Sequence, residues 1–514
     1  MGTSNQRMVN ELNITTEKPF FMFNNKKIYF MYDPPHLLKC TRNNLKNHDI
    51  EIDGVKVSWK HIFNFYKKDR LMDIRLAPKL TPKHIIENNF QKMKVCLAAQ
   101  VFSRSVAAGM YLHILFNSLP PEAIHTIKFI KQIDRLFDCF NSESEFCLNM
   151  YKKSLSELSV HKQFLGEMRQ YIASWTIGNN PLNNFPFHKG WLISITSLLM
   201  LWDDLRDNYG FTSINTRRLN QDPLENLFGV SRMSSGCDKN PKVSCFDPIM
   251  RKLTMTTLLE PPESANCIKD LDEILLSCSD LLKEGLPDQS TLDTTRNDDP
   301  IIPEFSRSDY EMHLKDCPST ESMCDITQES ISENALYYFS GYLAFTHLKR
   351  HKCSKCQESL LIADRSSLTM MQQTFTALKA YVPNAKSVVS GLKLATMDFF
   401  QFVKCLDSKF TTIFTQHCHK QNVGKLIFDD YMRYVLPSTA FNLCSNDYLH
   451  VLVKFYIRCK IYFAVRMHNR RSGKSITCAK STRKSRKAAS SKVMKPIINL
   501  ISLILIIGLF IIIL

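Results

Sequence analysis

Asp33 stands in the run Asp33-Pro34-Pro35-His36, and Asp222 and Glu225 stand three apart in Asp222-Pro223-Leu224-Glu225. Residues three apart share one face of a helix. The apolar run Lys26–Tyr32 leads into Asp33 and reads as a strand buried on both faces, so this carboxylate belongs at a strand tip, where two prolines stop the strand. Polynucleotidyl transfer needs carboxylates converging on two divalent cations, one to activate the attacking oxygen and one to stabilise the leaving oxygen. Without further context the same residues also fit a turn aspartate and helix-terminus charge. A second group is the Cys353-Ser354-Lys355-Cys356 knuckle with the distant His417-Cys418-His419. Cys353, Cys356, Cys418 and His419 make a zinc (Zn) ligand set by type. Roughly 60 residues separate the two halves, so spacing does not specify the pairing, and unliganded thiols in a helical core are the other reading. Ser472-Gly473-Lys474-Ser475 imitates the end of a phosphate-binding loop, but His468 stands where that loop needs glycine.

The elements that must hold these groups read as mostly helical. From Trp59 onward apolar residues recur at helical spacing, through Asn88–Leu119, Glu122–Phe140, Ser154–Thr176 and Gly190–Arg206. So a helical block follows one isolated strand, whose open edge is an aggregation liability. Asn220–Arg232 starts a helix with Pro223 in its first turn. Glu260–Glu333 is acidic and rich in Pro, Ser and Thr, a linker with one helix at Ile268–Lys283. Helical periodicity returns from Asn334 to Met467. Composition excludes disorder throughout: 44% of the 514 residues are hydrophobic. The net charge of +17 favours phosphate-bearing partners or anionic membranes. Arg466–Lys495 carries eleven Lys and Arg and no acid. That run could contact nucleic-acid phosphates, serve as a nuclear-targeting patch, or flank a membrane helix. Ile497–Leu514 is apolar enough for such a helix, a tail anchor with its N-terminal side in the cytosol; a translated foreign extension is the alternative. Met1–Thr16 lacks the apolar segment of a signal peptide, so the 17 cysteines read as reduced intracellular thiols.

Five blocks carry a more specific signal: DPPHLLKCTRNNL (Asp33–Leu45), RLAPKLTPKHI (Arg75–Ile85), KMKVCLAAQVFSRSVAAGM (Lys92–Met110), DRLFDCFNS (Asp134–Ser142) and TRRLNQDPLENLFGVSR (Thr216–Arg232). In this order they resemble consecutive blocks of the P-element and THAP-type DNA transposases. ENALYYFSGYLAFTHL (Glu333–Leu348) resembles that family's C-terminal helical region. The resemblance implies an RNase H-like domain split by a helical GTP-binding insertion. It implies that Asp33 matches the second catalytic Asp and Glu225 the catalytic Glu of a magnesium (Mg) site. It further implies that Lys79, Lys94, Val95, Asp138 and Asn141 match GTP-contacting positions, and that Asp222 matches a position linked to the nucleotide's metal. The chemistry agrees. Asp138 and Asn141 are three apart on one helix; a carboxylate can accept from guanine N1–H and the exocyclic amine, and an amide can address O6 and N7. Lys79 and Lys94 can supply charges for phosphates. An ordinary solvated helix face is the competing reading.

The family's first catalytic Asp lies on an earlier strand, whereas residues 1–32 hold no Asp and only Glu11 and Glu17 as acids. The family's zinc-coordinating N-terminal THAP domain and coiled coil also have no counterpart. The expectation is therefore a truncated transposase relative that binds guanine nucleotide, contacts DNA, and transfers no strands alone. An active subunit completed by a partner or by upstream sequence, and a tail-anchored membrane interaction protein, are the alternatives. The expected fold is mainly α: a helical GTP-binding insertion interrupting an incomplete RNase H-like α/β domain, then a helical C-terminal region and a C-terminal transmembrane helix. The expected divisions are 1–45 (RNase H-like remnant), 46–215 (insertion), 216–258 (RNase H-like return), 259–332 (acidic linker), 333–465 (helical), 466–495 (basic) and 497–514 (membrane helix). The resemblance implies a nuclear location and the tail a membrane one; oligomeric state does not follow from the residues.

Overall fold

The computed structural model describes residues 3–86, 89–147, 149–177, 180–181, 185–234, 248–249, 323–362, 371–380, 392–438, 441–471 and 511–513. The chain runs α1 (Thr3–Glu11), β1 (Phe20–Phe23), β2 (Lys26–Phe30), α2 (Pro34–Asn47), β3 (Ile50–Ile52), β4 (Val55–Val57), α3 (Trp59–Asp69), α4 (Pro82–Ile85) and α5 (Asn89–Lys92). There follow α6 (Val95–Val101), α7 (Arg104–Leu115), α8 (Ala123–Cys139), β5 (Leu155–Ser156), α9 (His161–Ala173), β6 (Trp175–Ile177) and β7 (Asn180–Pro181). Next come α10 (Pro186–Tyr209), β8 (Ser213–Ile214) and α11 (Asp222–Ser234). The second part holds α12 (Met323–Arg350), α13 (Ser354–Leu360), α14 (Thr374–Lys379), α15 (Met397–His417), α16 (Val423–Asp430), α17 (Asn446–Arg471) and β9 (Ile511–Ile513).

The fold is mainly helical with small antiparallel sheets, in the orders β1-β2-β9, β4-β3-β6-β7 and β5-β8. Two of the hairpins were written in the turn residues. Asp53 and Gly54 both have positive φ, 52° and 77°, and join β3 to β4; Asn24 and Asn25, at 47° and 59°, join β1 to β2. Two successive left-handed residues give a turn whose twist matches the flanking strands. The expectation of one isolated strand is therefore corrected, and so is its exposed edge, since β2 pairs with β1 on one side and β9 on the other. The expected helix over Asn88–Leu119 is three pieces: extended backbone at Lys94 separates α5 from α6, and Ser103 breaks the run again to cap α7 through the Val106 amide. Ser154–Thr176 is a helix flanked by β5 and β6. Glu122–Phe140 and Gly190–Arg206 fall within or over α8 and α10 as expected.

Two large cores result. The first packs α2, α3, α7, α8, α9 and α10 around Phe65, Phe102, Phe129, Trp175, Trp191 and Trp202. Helix α10 lies close against α2: a Cβ at Gly190 would sit 2.6 Å from the Leu37 methyl, and the Trp191 indole N–H donates to the Thr41 hydroxyl at 2.9 Å. The second packs α12, α13, α15, α16 and α17 around Tyr337, Phe399, Val403, Tyr431 and Tyr456. The cores meet where Phe375 of α14, with Ile331 and Ala335 of α12, joins the first core, and where the Arg104 guanidinium donates to the Leu378 carbonyl at 3.2 Å.

Most of the acidic linker, with its helix at Ile268–Lys283, and most of the basic run lie outside the described residues. So do residues 497–510 and Leu514 of the expected membrane helix. The end of the expected linker is corrected: from Met323 onward it is already α12. Ile511–Ile513 is a strand, not helix, with Ile28 paired to Ile513 and Phe30 to Ile511. β-Branched residues favour that pairing. Among the described residues the one stretch long and apolar enough to cross a membrane is Val95–Leu115, and it is 67% buried in the fold.

Candidate functional site

Asp33 is the N-cap of α2, with Pro34 and Pro35 in the first turn, where proline's missing N–H costs no helix bond. One carboxylate oxygen accepts from the His36 amide at 3.0 Å and faces the His36 imidazole at 3.2 Å. The other accepts from the Gln221 amide at 3.0 Å, across 188 residues of sequence. The end of β2 is thus fastened to the residue that opens α11. Asp222 is buried and Glu225 half-buried in the first turn of that helix, where the helix dipole favours negative charge. The strand end thus meets the start of α11 through a backbone amide. Among the described residues, however, Asp33, Asp222 and Glu225 do not bring three ligand atoms within 4.8 Å of one another.

Asp138 and Asn141 lie at the end of α8, both buried. The Asp138 carboxylate accepts from the Asn149 amide at 2.6 Å, with the Lys152 ammonium 3.8 Å from its other oxygen. Burial pushes its pKa up to about 6, and Glu143 adds to the rise; Lys152, Asn149 and Arg104 act against it. Asp134, one turn back, is raised as well, by burial and by the Asp138 charge. The Asn141 side-chain oxygen accepts from Asn220 at 3.4 Å, a long bond. Below it the chain is held by Thr216, whose hydroxyl accepts from the Ser142 amide at 3.0 Å and donates to the Cys139 carbonyl at 2.6 Å. Residues 220–222 therefore run directly from the Asp138–Asn141 face to Asp33.

Lys79 is exposed in a turn whose shape is set from inside. The Arg75 guanidinium donates to Asp69 at 2.8 Å and to the Leu80 carbonyl at 2.6 Å, and the second Asp69 oxygen accepts from the Leu76 amide at 2.8 Å. Both side chains are buried, so this pair fixes the loop that presents Lys79. Lys94 is the N-cap of α6 and half-buried; the buried Arg42 holds the chain just before it through the Lys92 carbonyl at 2.6 Å. The Val95 side chain is packed in the first core, which leaves its backbone to meet a ligand.

Cys353 and Cys356 come together with His351 and Cys444 rather than with Cys418 and His419. The expected zinc set is corrected accordingly. Cys418 caps the far end of α15 and donates to the Thr415 carbonyl at 3.5 Å, His419 is exposed beside it, and neighbouring His417 bonds Asp430 at 2.6 Å. Sequence reasoning passed over His351, Cys444, Asn149, Lys152 and Asn220. His351 had a legible signal, the run His351-x-Cys353-x-x-Cys356; the others touch the site only through the fold.

The family model described as the TNP-like, GTP-binding insertion domain matches residues 35–154. The transposable element P transposase of Drosophila melanogaster is 26% identical over 480 residues, 92% of this chain and 57% of that protein. The human DNA transposase THAP9 is 31% identical over 135 residues, 25% of this chain and 14% of its own length. The chain thus spans little more than half of the longer match. A solved structure, the Drosophila P element transposase strand transfer complex, aligns at a TM-score of 0.45 and 29% identity, over 49% of this chain and 57% of that one. The insertion-domain match falls on the segment that carries Lys79, Lys94, Asp138 and Asn141: the chain is similar to P-element transposases over most of its length, and its residues 35–154 match the GTP-binding insertion family.

Proposed function

We propose that this chain is a guanine-nucleotide-binding protein of the P-element transposase type, in which nucleotide and a divalent cation sit beside the remains of a strand-transfer site. The observation that carries the reading is the short bridge of residues 220–222. Asn220 touches Asn141, Gln221 touches Asp33, and Asp222, the next residue, is buried. In this reading Asp138 accepts from guanine N1–H and the exocyclic amine, and Asn141 addresses O6 and N7. Lys79 and Lys94 meet the phosphates, against the Val95 backbone. Asn149 and Lys152, which hold the Asp138 carboxylate in this structure, set its charge and yield it to the base.

Asp33, Asp222 and Glu225 are hard oxygen donors of the kind magnesium takes, and Asp222 links the nucleotide's metal to the carboxylates. Bound there, magnesium would supply charge stabilisation for phosphate oxygens. What the chain's own residues do is orient: the Gln221–Asp33 bond sets α11 against the strand tip. With Asp222 given to the nucleotide's metal, Asp33 and Glu225 are two carboxylates for a metal pair that strand transfer needs held by more, so the chain alone is proposed to cut and join no DNA. Contact with DNA, favoured by the +17 charge, and a nuclear location complete the proposal.

Calorimetry of the full chain with GTP and with ATP tests the nucleotide reading. GTP is expected to bind at least about tenfold more tightly, a difference Asp138→Ala abolishes, because a site built to accept two N–H groups rejects a base lacking them. Equal affinity for the two nucleotides in the unmodified chain would refute it. Duplex cleavage or joining by the purified chain with magnesium would refute the proposed lack of strand transfer.

A further inference from the structure

We propose that His351, Cys353, Cys356 and Cys444 form a structural zinc site that ties the second core together. The four side chains come from three places in the fold. His351 follows the last turn of α12, Cys353 is the N-cap of α13 with Cys356 one turn inside it, and Cys444 lies just before α17. Their ligand atoms all lie within 4.8 Å of one another. The His351 Nε2 is 3.2 Å from the Cys444 sulfur, and the Cys356 and Cys444 sulfurs are 3.3 Å apart. Tetrahedral zinc with sulfur ligands at about 2.3 Å needs sulfur–sulfur edges of roughly 3.8 Å, so small side-chain shifts complete the cage. The same 3.3 Å is well beyond the ~2.05 Å of a disulfide.

The donor set selects the ion. Three thiolates and one imidazole suit zinc and exclude the hard cations proposed for the nucleotide site, which take oxygen. Four protein ligands leave no open position, which marks a structural rather than catalytic centre. The imidazole is already oriented: its ring stacks on Tyr448 with centroids 3.5 Å apart and 17° between planes, turning Nε2 toward Cys444. Cys356 is fully buried in the second core and Cys353 packs against it. Zinc and three thiolates carry one net negative charge, and the exposed Lys352 and Lys355 are its neighbours in sequence. The ion would close a loop from residue 351 to 444 and pin the ends of α12, α13 and α17; among the described residues the cysteines near these ends, Cys353, Cys356 and Cys444, are free thiols.

The test is elemental analysis of the full chain, purified under reducing conditions from zinc-supplemented cells. About one zinc per chain is expected, with thiolate-to-metal charge-transfer bands on cobalt(II) substitution. Cys444→Ser and Cys353→Ser are each expected to lower zinc content at least about tenfold, whereas Cys418→Ser leaves it unchanged. The unmodified chain does not depend on any variant folding, so its zinc content decides first. Stoichiometric absence of zinc there, or a Cys356–Cys444 disulfide in its place, would overturn the proposal. So would zinc loss in Cys418→Ser equal to that in Cys444→Ser.

Discussion

In the proposed nucleotide site, Asp138 concentrates the chemistry in one ionisation. Its carboxylate is buried and held up at about 6. Accepting two N–H groups from guanine requires the ionised form, so nucleotide binding draws the pKa down and competes with protonation. The sign follows: GTP affinity is full above about pH 7 and falls as pH drops through 6, approaching a tenfold loss per unit well below it. Calorimetric titrations from pH 7.5 to 5.5 read this directly, and a flat profile would remove Asp138 from the base contact. Asp138→Asn should flatten it, because an amide does not titrate in this range. Asp33 is a different kind of carboxylate, with each oxygen already accepting a backbone N–H. Its role visible in the fold is to hold α11 in place.

Among the elements, the turn between α3 and α4 presents Lys79 to the proposed site. Asp69 and Arg75 are paired inside it, almost wholly out of solvent. Removing one partner strands the other's charge and two backbone amides. Asp69→Ala is expected to cost about 3–5 kcal/mol in denaturant unfolding and to weaken GTP binding by moving Lys79. A loss under about 0.5 kcal/mol, the scale of surface substitutions, would mean the pair does not frame the loop. The β3–β4 hairpin works at the same scale: it adds to the sheet through Glu51 and Ile52 opposite Thr176 and Trp175, and so seats Trp175 in the first core.

For the whole molecule, the two cores are joined through α14 and the middle of α12. Phe375 is fully buried in the first core although it follows the linker and belongs to the second half of the chain. Phe375→Ala should cost about 3–5 kcal/mol, the usual penalty for a buried aromatic. Differential scanning calorimetry should then show the cores unfolding separately rather than together. Retention of one cooperative transition at an unchanged Tm would show that the junction lies elsewhere. The site itself has the same long-range character, since residues 33, 138–141 and 220–225 meet only after α10 has brought the chain back.

Read alone, the amino-acid sequence placed Asp33 at a strand tip and missed the helix that Asp33 caps, while it determined the mainly helical character, the existence of α8 and α10 and the family blocks. These are local matters: period, caps and short motifs act within a few residues. It also carried the Asp53-Gly54 and Asn24-Asn25 turn signals, which the reading of one isolated strand passed over. Only the tertiary structure decided which distant groups meet. It set Gln221 on Asp33, Asn220 on Asn141, β9 on β2, and Cys444 rather than Cys418 beside the Cys353-Cys356 knuckle. Spacing along a chain fixes neighbours on one helix face, but partners 60 or 190 residues away are chosen by how the cores pack, and that choice is made by burial summed over many side chains.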